Sequence, residues 1–501
     1  MMSRRIKVQL NRVEGDLELE LDVNNGVVTD AWCIGTMYRG FEQILLGRAP
    51  MDALAITPRV CGICSTAHLF ASTLAIESMS YITPPANAIR VRNICLLAEE
   101  IQSDCRQTFL MFSPDLCHPT YKNHSLYPEL SEQFMDMSGN VYKNAVIQSR
   151  HIIEIVAIFG GQWPHSSYMV PGGVTSLPDI AKVLSSLSVT QNYIQWFEEQ
   201  ILGCSIEYWL TLKDRASLEK EFKSNKAAAS LMHRFCTEIG LDDLGSGSDL
   251  LMSYGSVIDT DEPKHRLRRS GIYNIGSDSH SELEQHLITE DISYSWYYDE
   301  SSKPRHPHEG LTQPKFSSDD QRYSWAKAPR YKGDVVQTGP MAQLAIDRDP
   351  LILSNLREKG CSSWLRQFSR IHRQAKSLLL LKEQLESLLS NIEQPTMAHK
   401  PLIDGEGIGM IEAARGSLGH WLRVEDSKIT GYQIITPTAW NASPRDAANQ
   451  RGHIEQSLIG LKITDEDDPV EIGHVVRSHD PCLVCTVHVL GSKKKHRYGV
   501  I

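Results

Sequence analysis

Two cysteine pairs carry most of the chemistry this chain can do. The first lies in Arg59-Val60-Cys61-Gly62-Ile63-Cys64, with His68 four residues on. The second lies in Asp480-Pro481-Cys482-Leu483-Val484-Cys485, with His488 three residues on. A two-residue spacer lets both sulfurs of a pair face one ion, so the pairs together predict a four-thiolate metal site. Soft thiolates select zinc, iron or nickel over magnesium or calcium. On spacing alone, a zinc clip joining both ends of the chain and a thioredoxin-like redox pair are alternatives. A zinc ribbon usually separates its pairs by ~15–20 residues, and a redox pair sits in one βαβ unit. Here more than four hundred residues intervene, with one pair near each end.

Composition sets the frame for these pairs. A chain of 501 residues is long enough for several domains or for one large intertwined core. With 41% hydrophobic and 22% charged residues it can bury a large core. The net charge of −10, from 51 basic and 61 acidic residues, argues against a nucleic-acid binder, which needs a basic stripe. No apolar run approaches the ~20 residues that span a bilayer. Arg4 and Arg5 are not followed by the apolar segment of a secretory leader. The expectation is a cytoplasmic protein, which partners could hold at the membrane periphery or carry elsewhere. Eleven cysteines, an odd number, argue against a disulfide framework. The seven outside the pairs (Cys33, Cys95, Cys105, Cys117, Cys204, Cys236 and Cys361) read as small buried apolar residues.

The elements that must position the pairs follow from periodicity. Ile6, Val8 and Leu10, then Leu17, Leu19, Leu21 and Val23, alternate. Asn24-Asn25-Gly26 then turns the chain and Val27-Val28 resumes the pattern, which predicts a strand, a turn and a return strand. Residues 66–80 and 87–112 read as helices broken at Pro84-Pro85, and 141–159, 188–212 and 366–392 as further helices. Residues 243–340 carry little helical period and read as irregular structure with short strands. Residues 418–435 suit a hairpin.

The flanks of the pairs are more specific than the pairs themselves. Arg-x-Cys-Gly-x-Cys-x-x-x-His near the start and Asp-Pro-Cys-x-x-Cys-x-x-His near the end resemble the large subunits of nickel–iron hydrogenases. So do Arg12-Val13-Glu14-Gly15, Arg39-Gly40-Phe41-Glu42, Pro164-His165 with Pro171-Gly172-Gly173-Val174, Tyr323-Ser324-Trp325, and Lys327-Ala328-Pro329-Arg330-Tyr331. Ala414-Arg415-Gly416 and Thr436-Pro437-Thr438-Ala439-Trp440-Asn441 complete the match. The resemblance implies an α+β fold with a predominantly helical core. It would comprise an N-terminal antiparallel β region over about 1–50, helical core over about 60–240 and 340–410, and an irregular segment over about 243–340. A C-terminal metal-binding segment would follow over 411–488, all in one intertwined catalytic domain, with residues 489–501 as an extension.

It also implies a site. Cys61 and Cys482 would be terminal nickel ligands, while Cys64 and Cys485 would bridge nickel to an iron that carries carbon monoxide and two cyanides. Hydrogen is a very weak acid, so splitting it needs a metal and a nearby base. Cys482 matches that base and Glu14 the carboxylate that relays the proton. Arg415 matches a cation over the metals, held by Asp104 and Asp480. Thr438, with Thr436, Pro437 and Ala414 beside it, would line the iron ligands, and His68 would stand beside a bridging cysteine. Glu42, His488 and the Ile434 carbonyl resemble a magnesium site. His488 would end the mature chain, with residues 489–501 removed by an endopeptidase after chaperones have helped insert nickel. No cysteines remain to hold iron–sulfur clusters, so electrons would leave through a separate iron–sulfur small subunit.

Three departures stand out from the family pattern. Asp16 stands where many relatives have histidine, and Ala414 where many have proline, which bears on packing around one cyanide. Ile63 and Phe112 are bulkier than in many relatives. Bulk there resembles the cytoplasmic uptake and sensory group, in which it narrows the gas channel. The expected function is uptake, oxidation of H2 to protons and electrons. A hydrogen-sensing regulatory subunit is the alternative, disfavoured by the tail after His488. The quinone-site relative in respiratory complex I lacks the four cysteines.

Overall fold

The computed structural model describes residues 4–298, 303–318 and 321–482. Cys485, His488 and the segment 489–501 lie outside the described residues. The alternating N-terminal pattern folds as an antiparallel meander of β1 (Arg4–Gln9), β2 (Leu17–Asn24) and β3 (Val27–Gly35). Asn25 and Gly26 both have positive φ and make the tight β2–β3 turn. Leu17, Leu19, Leu21 and Val23 all face one side and are buried. They pack against Ile454 and Leu458 and against Ile472, Val475 and Val476 near the other end of the chain. Burial of that shared apolar face brings the two ends together.

The larger core is helical. It includes α1 (Ser65–Ser80), α2 (Ala86–Arg106), α3 (Asn140–Gly160), α4 (Ile180–Trp196) and α5 (Ser363–Ser390). Pro84 and Pro85 separate α1 from α2, and a wider helical turn over Gln107–Phe112 continues α2. The helix expected over 188–212 instead starts at Ile180, because the Asp179 carboxylate accepts the Lys182 N–H at 2.8 Å. It continues in a wider turn to Leu202 and ends at Gly203, whose φ is 72°. The segment between α4 and α5 contains short paired strands, among them Leu250–Ser253 with Gly271–Asn274 and Ile288–Asp291 with Ala328–Tyr331. Among the described residues no helix is long and apolar enough to cross a membrane.

The expected hairpin is two strands of a three-stranded sheet. β4 (Gly405–Ala413), β5 (Gly416–Glu425) and β6 (Lys428–Ile435) run antiparallel in that order. β4 falls partly in the stretch expected to be helical. Its alternate residues Gly405, Gly407 and Gly409 erase the apolar pattern that marks a strand. Gly407 and Gly409 are glycines because α1 lies directly on them. A Cβ on Gly407 would sit 2.0 Å from the Ala75 carbonyl oxygen, and one on Gly409 would sit 1.8 Å from that of Ala71.

That contact predicts a stability effect. Gly409→Ala forces α1 off the sheet and is expected to cost about 2 kcal/mol or more. Thermal unfolding of the purified complex reads it, and an unchanged melting temperature would show that the two elements do not touch as described.

Candidate metal centre

Chain segments from both ends converge on one buried point. Cys61 follows a short turn over Thr57–Arg59, and Cys64 immediately precedes α1, so its sulfur lies by a helix N-terminus, where partial positive charge favours a thiolate. From the other end, α7 (Val470–Ser478), which follows the short helix α6 (Pro437–Asn441), leads into Asp480, Pro481 and Cys482. Asp480 takes φ 54°, a left-handed turn that aspartate tolerates, and reverses the chain into the site. Cys61, Cys64 and Cys482 form one buried cluster with Ile63 packed against it. The sulfurs of Cys61 and Cys482 are 3.5 Å apart.

Arg415 reaches this cluster from a hairpin tip. Ala413 pairs with Gly416, leaving only Ala414 and Arg415 in the turn between β4 and β5. Gly416 makes the turn fit, since a Cβ there would meet the Thr338 hydroxyl at 1.7 Å. The Arg415 guanidinium is buried, with Nε 3.1 Å from Asp480 Oδ2. Burial opposes its charge, but Asp480 and the sulfurs of Cys482, Cys61 and Cys64 outweigh that and raise its pKa well above the usual arginine value. Its Nη1 is buried without a hydrogen-bond partner among the described residues. A buried donor left over beside three soft sulfurs suits a metal centre carrying acceptor ligands.

The expectation that Asp104 holds Arg415 is corrected. Asp104 lies on α2 facing α5, where Arg373 intercepts it with two hydrogen bonds of 2.8 and 2.7 Å. Its influence on the site runs through Arg373, whose Nη2 also donates to the Ala414 carbonyl at 2.5 Å. One turn earlier on α5, Arg370 donates to the Ser478 carbonyl at 2.8 Å and fixes the end of α7. Arg366 is bonded to Gln337 at 2.9 Å. Spacing of four and three places all three arginines on one helix face. Sequence reading missed them because the leucines of the same helix dominate its period.

The remaining expected residues gather here too. Glu14 forms a backbone bridge with Cys482. Burial pushes its carboxyl pKa up, with Cys61 adding to the shift and Arg415 and Arg106 opposing it. Thr438 Oγ1 accepts the Cys482 N–H at 3.0 Å, which leaves its own hydrogen to donate elsewhere. Thr436 caps α6 by accepting the Ala439 N–H, and Pro437 opens that helix. His68 Nδ1 lies 3.1 Å from His420 Nε2, and His420 Nδ1 lies 2.8 Å from the Tyr432 hydroxyl. Burial lowers the His68 pKa to about 4, so it is neutral near pH 7. Asp16 is exposed.

Glu42 and Ile434 also meet, though through the Ile434 amide, which donates to Glu42 Oε1 at 2.9 Å. The Lys327 ammonium is 3.1 Å from Glu42 Oε2 and 3.5 Å from Glu290, and it also bonds Gln433 and Thr312. Burial pushes Glu290 up to about 7, against the pull of Lys327. Two carboxylates, an amide oxygen and a hydroxyl make an oxygen-rich set that suits a hard cation. Lys327 was legible as part of a family segment, whereas Glu290, Thr312 and Gln433 carried no signal in the sequence.

The comparisons with known proteins agree with this geometry. A model of the family "Nickel-dependent hydrogenase" matches residues 39–112 and 114–488. The periplasmic [NiFeSe] hydrogenase large subunit of Desulfomicrobium baculatum is 32% identical, covering 98% of this chain and 96% of that protein. An uptake hydrogenase large subunit of Rhodobacter capsulatus is 27% identical, covering 98% and 96%. The solved structure of a reduced, active Ni-Fe-Se hydrogenase from Desulfomicrobium baculatum matches with TM-score 0.84 at 29% identity, over 97% of this chain and 100% of that one. With a buried cysteine cluster under an arginine and a family match running from residue 39 to residue 488, this chain belongs to the nickel-dependent hydrogenases, as the large catalytic subunit of an oxidoreductase acting on H2.

Proposed function

We propose that the chain works in hydrogen uptake, oxidising H2 to two protons and two electrons that leave through the iron–sulfur clusters of a separate small subunit. The observation that carries this reading is the convergence of Cys61, Cys64 and Cys482 beneath Arg415 and beside Glu14. With Cys485 they would hold nickel and an iron that bears carbon monoxide and two cyanides. When bound, the two metals supply the Lewis acid that polarises H2 and the sink for its electrons.

The chain's own residues handle the proton and the surrounding charge. Cys482, buried beside Glu14, would accept the proton on its sulfur. Glu14, adjacent through its backbone bridge and raised in pKa by burial, takes it onward. Arg415 keeps a fixed positive charge over the sulfurs, and Asp480 fixes Arg415. The free hydrogen of the Thr438 hydroxyl suits a donor to an iron-bound cyanide. His68, kept neutral, fits a role beside the bridging sulfur, with His420 setting its orientation. Glu42, with the Ile434 carbonyl and His488, would hold magnesium, supported by the oxygen atoms that Glu290, Gln433 and Thr312 contribute nearby. Chaperones and an endopeptidase removing residues 489–501 would complete assembly.

Ile63, packed on the cysteines, and Phe112, fully buried with its ring 5.7 Å from that of His474, support membership of the uptake and sensory group. The cytoplasmic placement rests on that membership.

Three measurements test these readings. Elemental analysis of the purified complex should find nickel together with a molar excess of iron, because the small subunit's iron–sulfur clusters add to the one iron expected beside nickel, and infrared spectra should show carbon monoxide and cyanide bands. Zinc alone, or no metal, would sink the assignment. Glu14→Gln should lower H2 oxidation by about a hundredfold or more while nickel content stays that of the unaltered enzyme. A near-normal rate would remove Glu14 from the proton path. Ile63→Val with Phe112→Leu should speed inactivation by oxygen, and an unchanged inactivation rate would discard the narrowed channel.

A further inference from the structure

An open cavity of about 520 Å³ shares no residue with the metal centre. It lies against the strands Arg266–Arg268, Gly271–Asn274 and Ser279–Ser281 and the end of the helix Pro340–Ile346. Its wall carries Lys264, Arg266, Arg269, His280 and Arg348 against a single carboxylate, Glu282. Its other basic residue, His265, is engaged with Glu262 at 2.5 Å. Lys264, Arg266, Arg269 and Arg348 make no ion pair among the described residues. This concentration of positive charge stands on a chain whose net charge is −10.

Asp347 accepts the Arg269 backbone N–H at 2.6 Å and so adds one further carboxylate beside the cavity, whereas Asp278 is bonded to the Tyr273 hydroxyl at 2.7 Å and to Arg357 at 3.0 Å. The half-buried Arg266 has only a 3.4 Å contact with the Pro263 carbonyl, and burial lowers its pKa to about 10 with no carboxylate to offset it. A cation desolvated without a counter-charge is an unfavourable arrangement that an incoming anion would relieve.

Lys264 and Arg266 also border a second cavity of about 500 Å³, whose wall includes Tyr81, Ile82, Ile258, Ile408 and Met410. Its carboxylate, Glu77, is already held by Arg92 through bonds of 3.0 and 2.8 Å. Tyr81 is 76% exposed and stands at its rim. A compact cationic cavity adjoining an apolar one of nearly equal size fits a ligand with a multiply charged head and a flat body. Their combined size suits a small organic ligand. Two acyl chains would overfill the apolar half.

We propose that the two cavities form one binding site for a nucleoside di- or triphosphate, with the phosphates against Lys264, Arg266, Arg269 and Arg348 and the base beside Tyr81 and Ile82. Titration calorimetry on the purified large–small complex tests this with ADP, ATP, pyrophosphate and phosphatidylglycerol vesicles. ADP should bind and should weaken at least about tenfold in Arg269→Glu/Arg348→Glu. Both arginines are exposed, and H2 oxidation is expected to stay unchanged. Tyr81→Asn should weaken ADP and leave pyrophosphate as it was. The proposal is overturned if neither nucleotide binds at millimolar concentration, or if ADP binds both variants as tightly as the unaltered complex. It is equally overturned if pyrophosphate matches ADP, which reduces the site to a bare anion patch, or if only the vesicles bind.

Discussion

The site depends on one buried row of guanidinium groups. Arg366, Arg370 and Arg373 project from the same face of α5 into the interior between the two ends of the chain. Two of them grip backbone oxygens that set the metal centre: the carbonyl of Ser478, where α7 ends, and that of Ala414, at the hairpin tip. A buried guanidinium is costly unless paired, and such pairs contribute more to a unique arrangement than to net stability. Arg373 is paired with Asp104, while Arg366 and Arg370, lowered by burial to about 10, remain charged near neutral pH. The cost of burying this charge is offset by apolar packing elsewhere, chiefly of α1, α2 and the leucines farther along α5.

Around this row the electrostatics divide cleanly. Sulfurs and Asp480 hold Arg415 charged, whereas burial keeps His68 and His420 neutral and lifts Glu14. One positive group, a set of thiols and one carboxyl of raised pKa therefore share a space with little water. In the proposed function, that division would give a proton leaving the sulfurs a defined direction, since the cation cannot release one and the imidazoles resist taking one.

Much of this was legible in the sequence, for identifiable reasons. The cysteine pairs and their flanks are short, rigid and chemically singular, and the structure brings the described members together. The meander of β1 to β3 was legible because one face is buried and the other is not, which imposes strict alternation. β4 was hidden by the glycines that α1 requires. Asp104 was assigned to the wrong arginine because motif matching gives the type of partner but not which of several nearby cations reaches it first. The arginine row and the Lys327 cluster join residues far apart in the chain, and no local pattern announces such contacts.

The turn that carries Arg415 bears on which positions can vary. At residue 414 Arg373 contacts only the peptide oxygen and not the side chain. Alanine and proline supply that oxygen equally well, so evolution can exchange them there without loosening the grip. Length is another matter: with a two-residue tip closed by Ala413 and Gly416, an inserted amino acid would swing the guanidinium out of register with the sulfurs. The loop is therefore permissive in spelling and intolerant in count.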